Sequence, residues 1–154
     1  KLNQSMKLSL AKTVLIATLS LHLAPSIADQ TPKQQHVTTM SEHAIARTIR
    51  AQLNAFKARR FDLAYIHASE SIQSRFPDKH SFRRMIENGY EVLLDPISIR
   101  FDGLDSRFQS AVYRIKLISH DGQHWLALYP MIVTKQGTWK INGCRLLQLT
   151  GKLI

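Results

Sequence analysis

The chain has 154 residues, 44% hydrophobic and 21% charged, a globular composition with room for one domain and not that of a disordered chain. Twenty-one Lys and Arg against 11 Asp and Glu give a formal charge of +10, which favours polyanions, anionic lipid or plain solubility without choosing among them. The single cysteine, Cys144, excludes an intrachain disulfide, so stability has to come from an apolar core.

Lys7 and Lys12 precede an apolar run from Val14 to Leu23. Pro25 follows, then Ser26-Ile27-Ala28, with small residues at the −3 and −1 positions of a cleavage site. The pattern predicts a signal peptide over 1–28, cut near Ala28, with translation starting at Met6. The apolar run is shorter than the roughly 20 residues of a membrane-spanning helix, which leaves an uncleaved anchor as the weaker alternative. Export to the periplasm or beyond follows, with no transmembrane span in the mature chain. Residues 29–38 read as a flexible polar leader and 39–154 as a single domain. Losing Lys1, Lys7 and Lys12 leaves 18 basic residues against 11 acidic ones, a charge of +7.

Thr39 and Glu42 have capping-box spacing, so the first helix is expected to start between Thr39 and Ser41. Ile45, Ile49, Leu53 and Phe56 then form one apolar stripe at helical spacing. A second helix is expected from Asp62, burying Ala64, Tyr65, Ala68 and Ile72, and Pro77 prevents its continuation. Asp78 is placed to cap a third helix carrying Phe82, Met85 and Ile86, and Gly89 suits the left-handed position after its end.

Beyond Tyr90 the period changes to two. Ile97, Ile99 and Phe101 alternate with polar residues, and strands are expected over 109–119, 125–135 and 138–149. Asp121-Gly122 and Gln136-Gly137 are hairpin turns. With two-residue loops, Leu117 faces Leu126, Ile115 faces Leu128, Tyr113 faces Pro130, Ile132 faces Ile141, and Leu126 faces Leu147. Leu117, Leu126 and Leu147 then share the helix-covered face with Arg145. Arg114, Trp125, Tyr129 and Met131 fall on the opposite face, whose mixed character suits a homodimer contact. A bulge would exchange the two faces. The expected fold class is α+β, three N-terminal helices packed on a curved four-stranded antiparallel sheet.

Several runs together resemble a known family. They are Gln52-Leu53-x-Ala55-Phe56, Ala64-Tyr65-x-x-Ala68, Ile72-Gln73-x-x-Phe76, Phe82-x-x-Met85-Ile86-x-x-Gly89-Tyr90 and Gly137-x-Trp139-x-Ile141-x-Gly143-Cys144. In this order and spacing, over about 41–149, they resemble the family catalogued as domain of unknown function 4864. That resemblance implies the cone-shaped α+β fold of the nuclear transport factor 2-like, cystatin-like superfamily. It implies no activity, because a fold does not determine a function.

Enzymes of that superfamily, among them isomerases and dehydratases, place acid/base groups inside the cone. Here no Asp or Glu lies between Arg107 and His120 or from Gly122 onward, so a carboxylate base on the inner strands is missing. The pocket candidates are Tyr65, Phe82, Met85, Tyr90, Tyr113 and Arg145, with Arg145 a possible anion contact. Candidates for the dimer face are Arg114, Trp125, Tyr129 and Met131. His120 and His124 flank a turn and lack further ligands, so no metal is expected, nor any cofactor. Nucleic acid is an unfavoured partner, since the basic clusters form no stripe with exposed aromatics. The expectation is an exported, non-enzymatic domain that binds a small apolar or anionic ligand or an envelope protein. The alternatives are a small isomerase- or dehydratase-type enzyme using Tyr or His, and a structural homodimer.

Overall fold

A computed structural model describes the chain over residues 32–150, with side chains from 39 onward. The expected signal peptide lies outside the described residues. Helix α1 spans Pro32–Lys57. It starts upstream of the Thr39 to Ser41 expected from capping, on a proline whose fixed φ suits a first helical position, so residues 32–38 of the expected leader are helical. Among the described residues no helix is long and apolar enough to cross a membrane.

The stripe of α1 behaves as its spacing requires. Ile45, Ile49, Leu53 and Phe56 are all buried, and the polar Gln52 is buried among them. The helix ends with Arg59 in the left-handed region at φ 57°. Arg59 N–H donates to Phe56 O (2.9 Å) and Arg60 N–H to Ala55 O (2.8 Å), the Schellman pattern that turns a chain sharply.

The single helix expected from Asp62 is two helices, α2 Phe61–Tyr65 and α3 Glu70–Arg75. The break between them has a clear cause. Ser69 N–H donates to Ile141 O (2.8 Å) and Ile141 N–H donates to His67 O (2.9 Å), so residues 67–69 pair with a strand instead of continuing the helix. The Ser69 hydroxyl then caps α3 by accepting from Ile72 N–H. Helix α4, Lys79–Gly89, is capped by Asp78, which accepts from His80 and Ser81 N–H, both at 2.8 Å. Gly89 does not take the left-handed conformation expected of it. The chain passes through Tyr90 into a 3-10 turn, Glu91–Leu93, and buries Leu93 and Leu94.

Five strands follow: β1 Ser98–Leu104, β2 Val112–Ile118, β3 His124–Val133, β4 Trp139–Ile141 and β5 Arg145–Gln148. They form an antiparallel sheet in the order β1-β2-β3, with β4 and β5 both on the far side of β3. The protein is thus α+β, helices followed by an open antiparallel sheet.

The register differs from the expected one by a single residue. Leu117 pairs with Trp125, Ile115 with Ala127, Tyr113 with Tyr129, and Met131 with Ile141. Both hairpins have three-residue loops. Gly122 N–H donates to Ser119 O and Ser119 N–H to Gln123 O; Gly137 N–H donates to Thr134 O and Thr134 N–H to Thr138 O. Gly122 and Gly137 carry the left-handed φ of 77° and 78° alone, whereas a two-residue type I′ turn would force Asp121 and Gln136 there too. Leu126 does pair with Leu147 as expected.

A slip of one residue exchanges faces. Trp125, Tyr129 and Met131, assigned to the dimer face, join the helix-covered core beside Ile115, Leu117 and Ala127. Arg145 still pairs with Leu128, but this row, Arg114-Leu128-Arg145, runs on the outer face. There Arg100, Arg114 and Lys116 surround Asp102 at 3.6, 3.5 and 3.4 Å, and Arg107 pairs with the buried Asp105.

Candidate ligand cavity

The expected last strand is interrupted between β4 and β5. Ile141 pairs with Met131 and Arg145 with Leu128, so the chain advances four residues while β3 advances three. The extra residue is a bulge at Asn142–Cys144, with Gly143 at φ 145°, a backbone geometry that favours glycine. The bulge faces α3 and α4 across a cavity of about 230 Å³.

Helices α3 and α4 supply most of the apolar wall, through Ile72, Phe82, Met85 and Ile86, with Phe76 just past the end of α3 and Phe56 of α1 adding to it. Phe82 is the pivot of this wall. It stacks on Phe56 with ring centres 6.3 Å apart and meets Tyr65 edge-on at 5.2 Å. The polar lining consists of Gln52, Arg75, Tyr90, Asn142 and Cys144, with no carboxylate.

Most of these polar groups are engaged. Gln52 Nε2 donates to Ala64 O (3.2 Å), and Tyr90 Oη donates to Cys144 O (3.0 Å). The Ser69 hydroxyl donates to Asn142 Oδ1 at 2.8 Å, tying the helix cap to the bulge. Burial pushes the Cys144 thiol up to about 12 and also raises the Tyr90 phenol. A thiol held so high stays protonated at neutral pH and is a poor nucleophile. Behind it, Tyr129 is fully buried and its hydroxyl makes no hydrogen bond; the Cys144 sulfur lies beside it outside hydrogen-bonding geometry.

Of the six sequence-derived pocket candidates, Phe82, Met85 and Tyr90 line this cavity. Tyr65 does not: its hydroxyl donates to Phe76 O (2.6 Å) and it braces the end of α3. Tyr113 is buried in the core, edge-on to Phe101, and Arg145 is exposed on the outer face. Of the dimer-face candidates only Arg114 is on that outer face, because the loop lengths turn the other three inward. Sequence reasoning did not include Gln52, Arg75, Asn142 or Cys144 among the pocket candidates. Gly143 inside a strand pattern was the one available signal, since such glycines mark bulges.

A second, wider depression of about 770 Å³ lies between the end of α4 and the β2–β3 hairpin. Its walls include Glu91, Asp95, His120 and Asp121. His120 Nε2 is 3.1 Å from Asp95 Oδ2, an exposed pair. Among the described residues, no group of three or more His, Cys, Asp and Glu is placed to hold a metal ion.

A family model described as a domain of unknown function, DUF4864, matches residues 38–154. The chain belongs to this family. The match takes in the sheet, the bulge and the side chains that line the cavity, so the site is part of the DUF4864 domain and not an appendage to it. No curated protein and no solved structure matches the chain.

Proposed function

We propose that this DUF4864 protein is an exported, non-enzymatic binding domain that takes a small, largely apolar ligand between α3, α4 and the β4–β5 bulge. The observation that carries the reading is the cavity of about 230 Å³, walled by Phe56, Ile72, Phe76, Phe82, Met85 and Ile86 and free of carboxylates. Apolar voids of about 150 Å³ admit benzene, so this one has room for roughly nine non-hydrogen atoms. The high thiol and phenol at Cys144 and Tyr90 suit packing and polarity better than proton transfer near neutral pH. Helices laid over one face of an antiparallel sheet agree with the cone of the nuclear transport factor 2-like superfamily, and a half-open cone is a natural place for such a site. Export is supported by the charged, apolar and small-residue sequence of 1–28.

Titration of the ¹⁵N-labelled chain with 1-octanol, which has nine non-hydrogen atoms, tests the reading. Shifts concentrated on Met85, Ile86, Gly143 and Cys144 are expected. Met85→Trp, which fills the space from its own wall, should abolish them while the melting temperature holds or rises. Spectra that do not respond to millimolar 1-octanol would remove the reading.

A further inference from the structure

The geometry points to a carboxylate on the cavity's ligand, read by Arg75 and Asn142; this rests on the ligand-binding reading above and adds the chemical class. The argument is a count of donors and acceptors. The Ser69 hydroxyl accepts from Ile72 N–H and spends its own hydrogen on Asn142 Oδ1. With Oδ1 on Ser69, the Asn142 NH₂ is turned away from the cap and has no partner among the described residues. Arg75 is on the last turn of α3, borders the cavity and is exposed, so it sits at the rim where the cavity meets solvent. No carboxylate lies within ion-pair distance of it among the described residues.

The one charged group left over is a donor, the guanidinium with its five N–H, joined by the NH₂ of the Asn142 amide; the acceptors that remain, Gln52 Oε1 and the Tyr90 hydroxyl oxygen, are neutral. One Gln52 Nε2 hydrogen and the Tyr90 hydroxyl hydrogen are already committed to backbone carbonyls. A ligand with an amine at its polar end would meet donors and a positive charge. A neutral alcohol would satisfy only part of the set. A carboxylate matches the planar fork of the arginine and accepts from the amide as well. The cavity holds about nine non-hydrogen atoms by the comparison above, so a short-chain or single-ring monocarboxylate fits and the whole acyl chain of a membrane lipid does not.

Isothermal titration of the full chain with octanoate, 1-octanol and octylamine at low ionic strength tests this. Octanoate should bind at least tenfold more tightly than 1-octanol, and octylamine more weakly than either. Arg75→Gln should bring octanoate down to the level of 1-octanol, a loss of about 1.4 kcal/mol per factor of ten. Equal binding of octanoate and 1-octanol by the wild type, or a preference that survives in Arg75→Gln, overturns the carboxylate assignment and leaves the apolar cavity standing. If none of the three probes binds, the ligand-binding reading falls and the carboxylate assignment with it.

Discussion

Tyr129→Phe should make the protein more stable. Tyr129 lies in β3, the strand on which the sheet is built, and is 0% exposed. Its ring belongs to the core, but its hydroxyl makes no hydrogen bond there. Burial holds the phenol well above its ordinary value. A hydroxyl taken out of water without a partner costs about 1–3 kcal/mol. Phenylalanine keeps the ring and removes that cost. Against this stand two small losses. One is whatever weak contact the hydroxyl makes with the Cys144 sulfur, worth at most ~1 kcal/mol. The other is a gap the size of one oxygen atom, roughly 0.3 kcal/mol on the cavity scale.

The balance is a gain of about 1 kcal/mol. For a domain of this size it should raise the melting temperature by roughly 3–6 °C, and the urea midpoint by roughly 0.5 M with an unchanged slope. Equilibrium urea unfolding followed by tryptophan fluorescence measures it. A destabilisation of 1 kcal/mol or more would refute the reasoning, because it would mean that the hydroxyl is satisfied in the folded protein. Repeating the substitution in a Cys144→Ala background would then show whether the sulfur is the partner: the penalty should vanish if it is.

Ser69→Ala should cost about 1–2 kcal/mol in the same unfolding measurement, since it deletes both the cap of α3 and the bond to Asn142; a change under 0.3 kcal/mol would show that the cap is idle. Asp105 is held down at about 2 by its hydrogen bonds to Arg107, so its folded value lies below its unfolded one. Its stabilisation is then complete above about pH 4 and is lost as the pH falls toward 2. The stability gap between wild type and Asp105→Asn should therefore shrink across that window, and a gap that stays constant from pH 5 to pH 2 would count against the pairing.

The helical part of the fold was largely legible. The spacing of Ile45, Ile49, Leu53 and Phe56 fixed the buried face of α1, and Asp78 marked the start of α4. These signals are local: a periodicity or a cap is complete within a few residues. The split between α2 and α3 was not legible, because it depends on pairing with Ile141, more than 70 residues away. Gly89 does end α4, but without the left-handed conformation expected of it, for a similar reason. The 3-10 turn after it gains burial for Leu93 and Leu94, which no local pattern announces.

The sheet shows how one undetermined residue propagates. Asp121-Gly122 and Gln136-Gly137 fix where the chain turns but not whether two or three residues form the loop. With three, each following strand slips by one position, and Trp125, Tyr129 and Met131 move from a supposed outer contact into the core. The β3–β5 pairing came out right only because a second irregularity, at Gly143, restores what the second loop removed. That compensation is also what makes the site. The residue inserted at the bulge brings Asn142 and Cys144 to the wall opposite α3, within reach of Ser69 and Tyr90. Arg75 carries no such mark in the sequence, where it is one basic residue among 21. It is singled out by standing on the cavity wall without a carboxylate partner, and that is a property of the folded chain. The β3–β5 pairing and the Asn142–Cys144 wall of the cavity therefore have one origin, the extra residue between Ile141 and Arg145. Deleting Gly143 should remove both together, whereas substitutions elsewhere in β4 or β5 should leave the pairing intact.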